Sequence, residues 1–269
     1  MIIFKSINKL NKCIENIDNI GFVPTMGSIH NGHSSLIKKS KKICKKTLVS
    51  IFVNPKQFNN KKDFINYPRN IKRDIRILRQ LKVDYVLLPK YSDIYSVKEN
   101  RLIKIPRINK ILCAKYRPGH FEGVLQVINQ YLIKLKVQKI FLGEKDYQQL
   151  KIISNFVRER FDIKVVACKT IRHKNTFALS SRNQLLIKED QYKLREIFLI
   201  LKSFKLRLKK NFKFKNKISD IKNLISKIGV KLEYLELRDK NTLSRNCNKS
   251  NFKIFISYYY KKIRFIDNV

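Results

Sequence analysis

The sequence predicts an α/β fold, a doubly wound parallel sheet followed by a smaller C-terminal α+β domain. Three observations carry this. Over the first two thirds of the 269 residues, short apolar runs alternate with longer stretches of helical periodicity, the pattern of parallel strands joined by crossover helices. After Arg182 the order changes to helices followed by strands. Most of the few glycines and histidines fall in three short segments, and His30, His33, Asn54 and Gly143 would lie beyond the carboxyl ends of predicted strands, where open α/β sheets bind their ligands.

The elements follow in order. Residues 20–24, Ile-Gly-Phe-Val-Pro, form the first clear strand, and the apolar and basic run 34–46 reads as the helix after it. Strand 47–53, helix 69–81, strand 85–88, helix 122–136, strand 139–142, helix 145–160 and strand 164–168 continue the alternation. A long lysine-rich amphipathic helix over 187–210 then leads to a helix over 218–228 and strands over 230–237, 252–257 and 261–266. Tyr258-Tyr259-Tyr260 is read as a strand end. No repeat or Pro/Gly/Ser-rich linker marks a joint, and the expected domains are 1–175 and 176–269.

Composition narrows the class. At 43% hydrophobic the chain can bury a core, and it has neither an apolar run long enough for a membrane span nor a signal-peptide-like start, so a cytoplasmic protein without a membrane partner is expected. The five cysteines, Cys13, Cys44, Cys113, Cys168 and Cys247, are scattered and odd in number, which speaks for free thiols rather than a disulfide framework or a zinc ribbon. The net charge of +40 is spread over nearly every segment, alongside abundant isoleucine and asparagine. That pattern fits an AT-rich codon bias better than a specific nucleic-acid surface, although loose binding to polyanions at low salt is expected.

Five segments carry chemistry. Met26-Gly27-Ser28-Ile29-His30-Asn31-Gly32-His33 joins a strand to a helix start, which offers unpaired N–H groups and a partial positive charge to a phosphate, with two imidazoles as added donors. Asn54 and Gln57 end a strand with two amides for a polar substrate; a plain Asn-Pro turn is the bland alternative. Arg117 and His120 enter a helix as anion ligands or as parts of a capped start. Gly143-Glu144-Lys145-Asp146 precedes Gln149, with Lys145 suited to a phosphate and Asp146 to a ribose hydroxyl or a magnesium-bound water. Leu179-Ser180-Ser181-Arg182 packs two hydroxyls beside a guanidinium, which suits a triphosphate. Neither the P-loop, the dinucleotide fingerprint nor a Gly-x-Ser-x-Gly elbow is present in the sequence, as suits a reaction whose nucleophile belongs to the substrate.

Together these segments, with Tyr67-Pro68-Arg69, Leu237-Arg238-Asp239 and the C-terminal Ile266-Asp267-Asn268-Val269, resemble the pantoate:beta-alanine ligase family along nearly the whole chain. The resemblance implies a Rossmann-like domain of nucleotidyltransferase type with a C-terminal lid, a homodimer, and a two-step condensation of pantoate with beta-alanine through an adenylate. ATP would be the energy source, accompanied by Mg2+, with no metal ligated by the protein alone. It implies His30, His33, Lys145 and Arg182 as catalytic residues, with His33 the proton donor. Met26, Gly27, Ser28, Ile29, Asn31 and Gly32 would join these histidines around ATP, as would Gly143, Glu144 and Asp146. Ile171 and Leu179, Ser180 and Ser181 would complete the nucleotide set. Gln57 and Gln149 would hold pantoate, Gln57 also touching beta-alanine, with Asn54 and Arg117 nearby.

The chain departs from the family pattern at Asn175 and Thr176, where an acidic residue and a glycine are usual, so a stiffer or reshaped ATP loop is expected because threonine resists positive φ. Residues 92–100 lack the usual proline and glycine, and Ser28 and Asn31 are substitutions within the first motif. Two other readings stay open at this level: an adenylyltransferase acting on another substrate, and an RNA-binding module that uses the basic surface.

Overall fold

The structure, a computed structural model, describes residues 1–95 and 103–269; the end of the 92–100 segment named above lies outside them. The chain divides into two compact units, Met1–Glu144 with Gln149–Lys169, and Lys145–Gln148 with Thr170–Val269. The division thus falls after Lys169, ahead of the expected boundary at 175, and the four residues Lys145–Gln148, which follow β5 and run into the start of α8, belong to the second unit.

The first unit contains, in chain order, β1 (Ile2–Phe4), α1 (Ile7–Ile14), β2 (Ile20–Thr25), α2 (Asn31–Ile43), β3 (Lys46–Ile51), α3 (Lys61–Ile65) and α4 (Ile71–Gln80). It continues with β4 (Tyr85–Leu87), α5 (Tyr91–Ile94), α6 (Cys113–Tyr116), α7 (His120–Lys134), β5 (Lys139–Gly143), most of α8 (Tyr147–Arg160) and β6 (Lys164–Cys168). The sheet has strand order β1-β4-β3-β2-β5-β6, parallel throughout. The chain winds outward from β2 through β3 to β4, then returns to add β5 on the other side of β2. The topological switch point is therefore the β2–β5 seam.

That seam opens toward the carboxyl ends of its strands. β2 pairs with β3 along its whole length, from Ile20 with Lys46 to Thr25 with Ile51, whereas β2 and β5 pair only at Gly21 and Phe22. Pro24, which has no N–H to offer, lies beyond the last β2–β5 pair. Val23, Ile29, Ile37, Val49, Leu78, Val86 and Phe141 form the fully buried apolar layer on one side of these strands. At Gly21 a Cβ would lie 2.2 Å from Ser40 Oγ and 2.9 Å from Cys44 Sγ, so glycine is what lets α2 pack onto the strand.

In the second unit α9 (Lys188–Lys210) and α10 (Ile218–Lys227) precede the antiparallel strands β7 (Lys231–Asp239), β8 (Phe252–Tyr260) and β9 (Ile263–Asn268). Leu194, Ile197, Leu201, Phe204 and Leu208, spaced three or four apart on α9, bury the stripe that the amphipathic pattern predicts, against Ile225, Ile254, Ile256 and Phe265.

Several boundaries differ from the sequence reading for identifiable reasons. α2 starts at Asn31 because His30 is its cap, and ends at Ile43 because Lys46 is already paired in β3. β8 extends to Tyr260 and β9 begins at Ile263, because Lys261 and Lys262 adopt φ values of 47° and 64° and make the hairpin turn without a glycine. Strand β1 and helix α1 are additions; α1 buries only Ile7, Leu10 and Ile14 beneath a lysine- and asparagine-rich surface.

Candidate functional site

In the first unit the site begins at the end of β2. Thr25 Oγ1 donates to Ser50 O at 2.7 Å and accepts from Gly27 N at 3.2 Å, which turns the chain out of the sheet. Gly27 (φ 80°) and Ser28 (φ 53°) then take left-handed backbone conformations. Asp74, 1% exposed on α4, closes this turn: its two carboxylate oxygens accept from Ser28 N at 2.8 Å and Ile29 N at 2.7 Å. The sequence reading passed over Asp74. Its signal was there, an acidic residue in register with Leu78 on the buried stripe of a helix.

The turn delivers His30 as the N-cap of α2. Its Nδ1 accepts from Gly32 N at 3.0 Å, and His33 Nδ1 accepts from His30 N at 3.4 Å. Since a backbone N–H can only donate, each Nδ1 is unprotonated and the proton of each neutral ring sits on Nε2. The ring centroids are 4.1 Å apart, so one helix start presents a pair of Nε2–H donors beside its own positive dipole end. A Cβ on Gly32 would come within 2.6 Å of His30 Cε1. Gly32 therefore makes room for the histidine ring, where the sequence suggested close approach of an anion to the backbone.

The loop after β3 meets this turn through Gln57, whose Nε2 contacts Met26 Sδ. Asn54, 1% exposed, binds the loop together: Nδ2 donates to Gly123 O at 3.1 Å and, at a long 3.4 Å, to Gln57 Oε1, while Oδ1 accepts from Lys56 N at 3.2 Å and Tyr95 Oη at 3.0 Å. Burial pushes the Tyr95 hydroxyl's pKa far above its ordinary value, so it stays a donor at any working pH. A Cβ on Gly123 would lie 2.2 Å from Lys56 O, so α7 packs backbone to backbone on this loop. His120 is no exposed anion ligand. It is 8% exposed, its Nδ1 bonds Gln57 O at 2.7 Å, and its Nε2 faces Arg117 at 2.9 Å. Arg117 also donates to Gln57 O at 3.2 Å, so both residues clamp the backbone of Gln57.

Gly143 ends β5 across the switch point, and a Cβ there would meet none of the described residues within 4 Å. Glu144, which follows it, and Gln149 on α8 are both partly buried.

The remaining candidates lie in the second unit. Lys145 Nζ is 3.4 Å from Asp146 Oδ1, and Lys145 O accepts from Asn268 Nδ2 at 2.8 Å. Leu179 N donates to Ile171 O at 3.0 Å, which pairs these two expected ATP residues across one turn. In the next loop Ser180 Oγ accepts from Arg182 N at 3.3 Å, Asn183 Oδ1 accepts from Ser180 N, and Ser181 is buried. Arg172, absent from the sequence reading, anchors this region with a two-point contact to Asp267 at 2.7 and 3.1 Å and further bonds to Thr176 O and Asn268 O. At Thr176 φ is −118° with ψ at −120°, outside the α and β regions, and the positive angle in this turn falls on Lys174 at 41°.

All five cysteines are free thiols, as expected, and burial raises the Cys168 thiol to about 11. No thiolate nucleophile is built there.

A family model for pantoate-beta-alanine ligase matches residues 2–269. The chain belongs to the pantoate-beta-alanine ligase family. A pantothenate synthetase from Francisella tularensis subsp. mediasiatica is 39% identical over 268 residues, covering 98% of this chain and 94% of the relative, and one from subsp. novicida is 39% identical over 275 residues, covering 100% and 97%. Among solved structures of the family, the pantoate-beta-alanine ligase of Francisella tularensis complexed with beta-gamma ATP and beta-alanine has a TM-score of 0.86 at 38% identity, covering 100% of this chain and 97% of its own. The pantothenate synthetase of Thermus thermophilus, at 26% identity, gives the same TM-score and covers 100% and 99%. The doubly wound sheet with a small C-terminal α+β unit is thus the architecture of the pantoate-beta-alanine ligases.

Proposed function

We propose that this chain condenses pantoate with beta-alanine at the expense of ATP, forming pantothenate, AMP and pyrophosphate. In the first step a carboxylate oxygen of pantoate attacks the α-phosphorus, the bond from that phosphorus to the β-phosphate oxygen breaks, and pyrophosphate leaves. In the second, the neutral amine of beta-alanine attacks the acyl carbon, the acyl–oxygen bond to the phosphate breaks, AMP departs and the nitrogen releases its proton. Pantoate is already ionised at neutral pH, so the first step needs no base, only alignment and stabilisation of charge on phosphoryl oxygens.

The observation that carries this reading, in a chain of this family, is the fixed pair of Nε2–H donors at the start of α2, beyond the switch-point strand. We assign His30 and His33 to the phosphates, each donating a hydrogen bond through its Nε2–H to a phosphoryl oxygen. Lys145 and Arg182 are assigned as further cations for the triphosphate, and Ser180 and Ser181 as its hydroxyl ligands. Asp146, whose side chain is 45% exposed beside Lys145, suits the water shell of a magnesium ion that enters with ATP. Gln57 and Gln149 are assigned to pantoate. A cytoplasmic homodimer rests on the family resemblance; sedimentation of the purified protein tests the dimer. Among the described residues no helix is long and apolar enough to cross a membrane.

The test follows pyrophosphate and AMP with ATP, magnesium and pantoate, with and without beta-alanine. Pantoate-dependent pyrophosphate release and beta-alanine-dependent AMP release are expected. An adenylyltransferase for another substrate releases neither product with pantoate, and that outcome sinks the assignment. His33→Ala should slow adenylate formation by about 100- to 1000-fold, the usual cost of one donor to a developing phosphoryl charge.

A further inference from the structure

We propose that Asn54 and Tyr95 are positioning residues that lock the side-chain amide of Gln57 in one of its two orientations, with the NH2 group turned outward, so that Gln57 recognises pantoate only as a donor to one of its oxygens. The proposal rests on the ligase reading for the identity of the substrate and on local chemistry for the orientation.

A glutamine amide can be turned by 180° at almost no steric cost, so something must choose between its two states. Here the choice is forced in sequence. Gly123 O accepts only and Lys56 N donates only, and both bond the Asn54 side chain. Asn54 must therefore direct Nδ2 at Gly123 and Oδ1 at Lys56. The Tyr95 hydroxyl, itself 3.0 Å from Oδ1, adds a second donor that the opposite orientation would refuse. With Asn54 fixed, the group of Gln57 that faces Asn54 Nδ2 has to be its oxygen, since a turned amide would set NH2 against NH2. Nε2 is left pointing at Met26 Sδ, a weak acceptor that a substrate oxygen can replace. Asn54 meanwhile uses both donors and both acceptors inside the protein, which makes it a bracket and not a ligand.

The experiment measures KM for pantoate and for ATP, thermal unfolding, and the nuclear Overhauser contact between the Gln57 side-chain NH2 and the Met26 methyl in the substrate-free protein. Tyr95→Phe should raise KM for pantoate about five- to tenfold, the scale of one lost hydrogen bond, with KM for ATP within about twofold and only a small drop in melting temperature, since that bond is also lost to the fold. Asn54→Asp, which sets a carboxylate against Gln57 Oε1, should turn the amide, abolish the Overhauser contact and raise KM for pantoate about 100-fold. Gln57→Glu keeps the shape without the donor and should weaken pantoate binding to a similar extent. If Gln57→Glu binds pantoate normally, or Tyr95→Phe raises both KM values equally, the proposal is wrong. Should the wild-type enzyme not use pantoate at all, the ligase reading fails, while the Overhauser contact and its loss in Asn54→Asp still decide the orientation. Should Asn54→Asp fail to fold, the Tyr95→Phe and Gln57→Glu measurements decide alone.

Discussion

Asp74 touches no expected ligand, yet the geometry of the first histidine depends on it. Its carboxylate is the acceptor for two consecutive backbone N–H groups in a turn where two residues hold positive φ. Asp74→Ala leaves both groups buried and unpaired, which should cost about 2–5 kcal/mol in denaturant unfolding. Asp74→Asn keeps one acceptor and should cost less, while slowing adenylate formation more than it lowers stability; equal stability of wild type and Asp74→Ala would remove Asp74 as the anchor. Residues of this kind explain what the sequence left hidden. His30, His33, Gln57 and the 179–182 loop stood out because polar groups at strand ends need a reason, whereas Asp74, Tyr95 and Arg172 look like ordinary surface chemistry until burial is known.

At the scale of elements, the start of α9 is fastened to the β8–β9 turn by one carboxylate. Asp190 accepts from Ile187 N at 3.2 Å, from Tyr260 Oη at 2.9 Å and from Lys261 Nζ at 2.7 Å. The hydrogen bond from Lys261, more than any other influence, holds the Asp190 carboxyl below its usual pKa, and the same bond raises Lys261. A depressed acid stabilises the fold above its unfolded pKa and loses that contribution as pH falls through the folded value; a raised lysine stabilises below its unfolded pKa and loses it as pH rises through the folded one. The bracket should thus act fully from about pH 4 to about pH 10, with stability falling outside this window. Asp190→Asn should flatten the acid limb of a melting-temperature profile, and an unchanged limb would show that the bracket is inert. Periodicity located α9 to within a residue of its start and at its end. It missed the Lys261-Lys262 turn, because lysines at positive φ are chosen by the pairing of β8 with β9 and not by their own preference.

For the whole molecule, sixty basic side chains against twenty acidic ones leave most cations without a carboxylate to pair with. Self-repulsion of this kind destabilises a compact state and is screened by salt. The melting temperature should therefore rise as NaCl increases from about 0.02 to 0.2 M, where the Debye length falls to several ångströms; a falling curve would mean that ion pairs outweigh repulsion. The alternation of strands and helices made the fold class legible, since it is imposed by how apolar faces are covered. The partition of the chain was not, because residues 145–148 carry no compositional mark of belonging with residues a hundred positions later. There the Tyr147 ring lies tilted against Phe255 with ring centroids 5.9 Å apart and its hydroxyl donates to Lys240 O at 3.0 Å, while Asn268 holds Lys145 O. A gene fragment beginning at residue 170 would encode a torso without its own buckle, so no single cut separates the two units into independent heirs, and shuffling of either by recombination requires two joints to be respected at once.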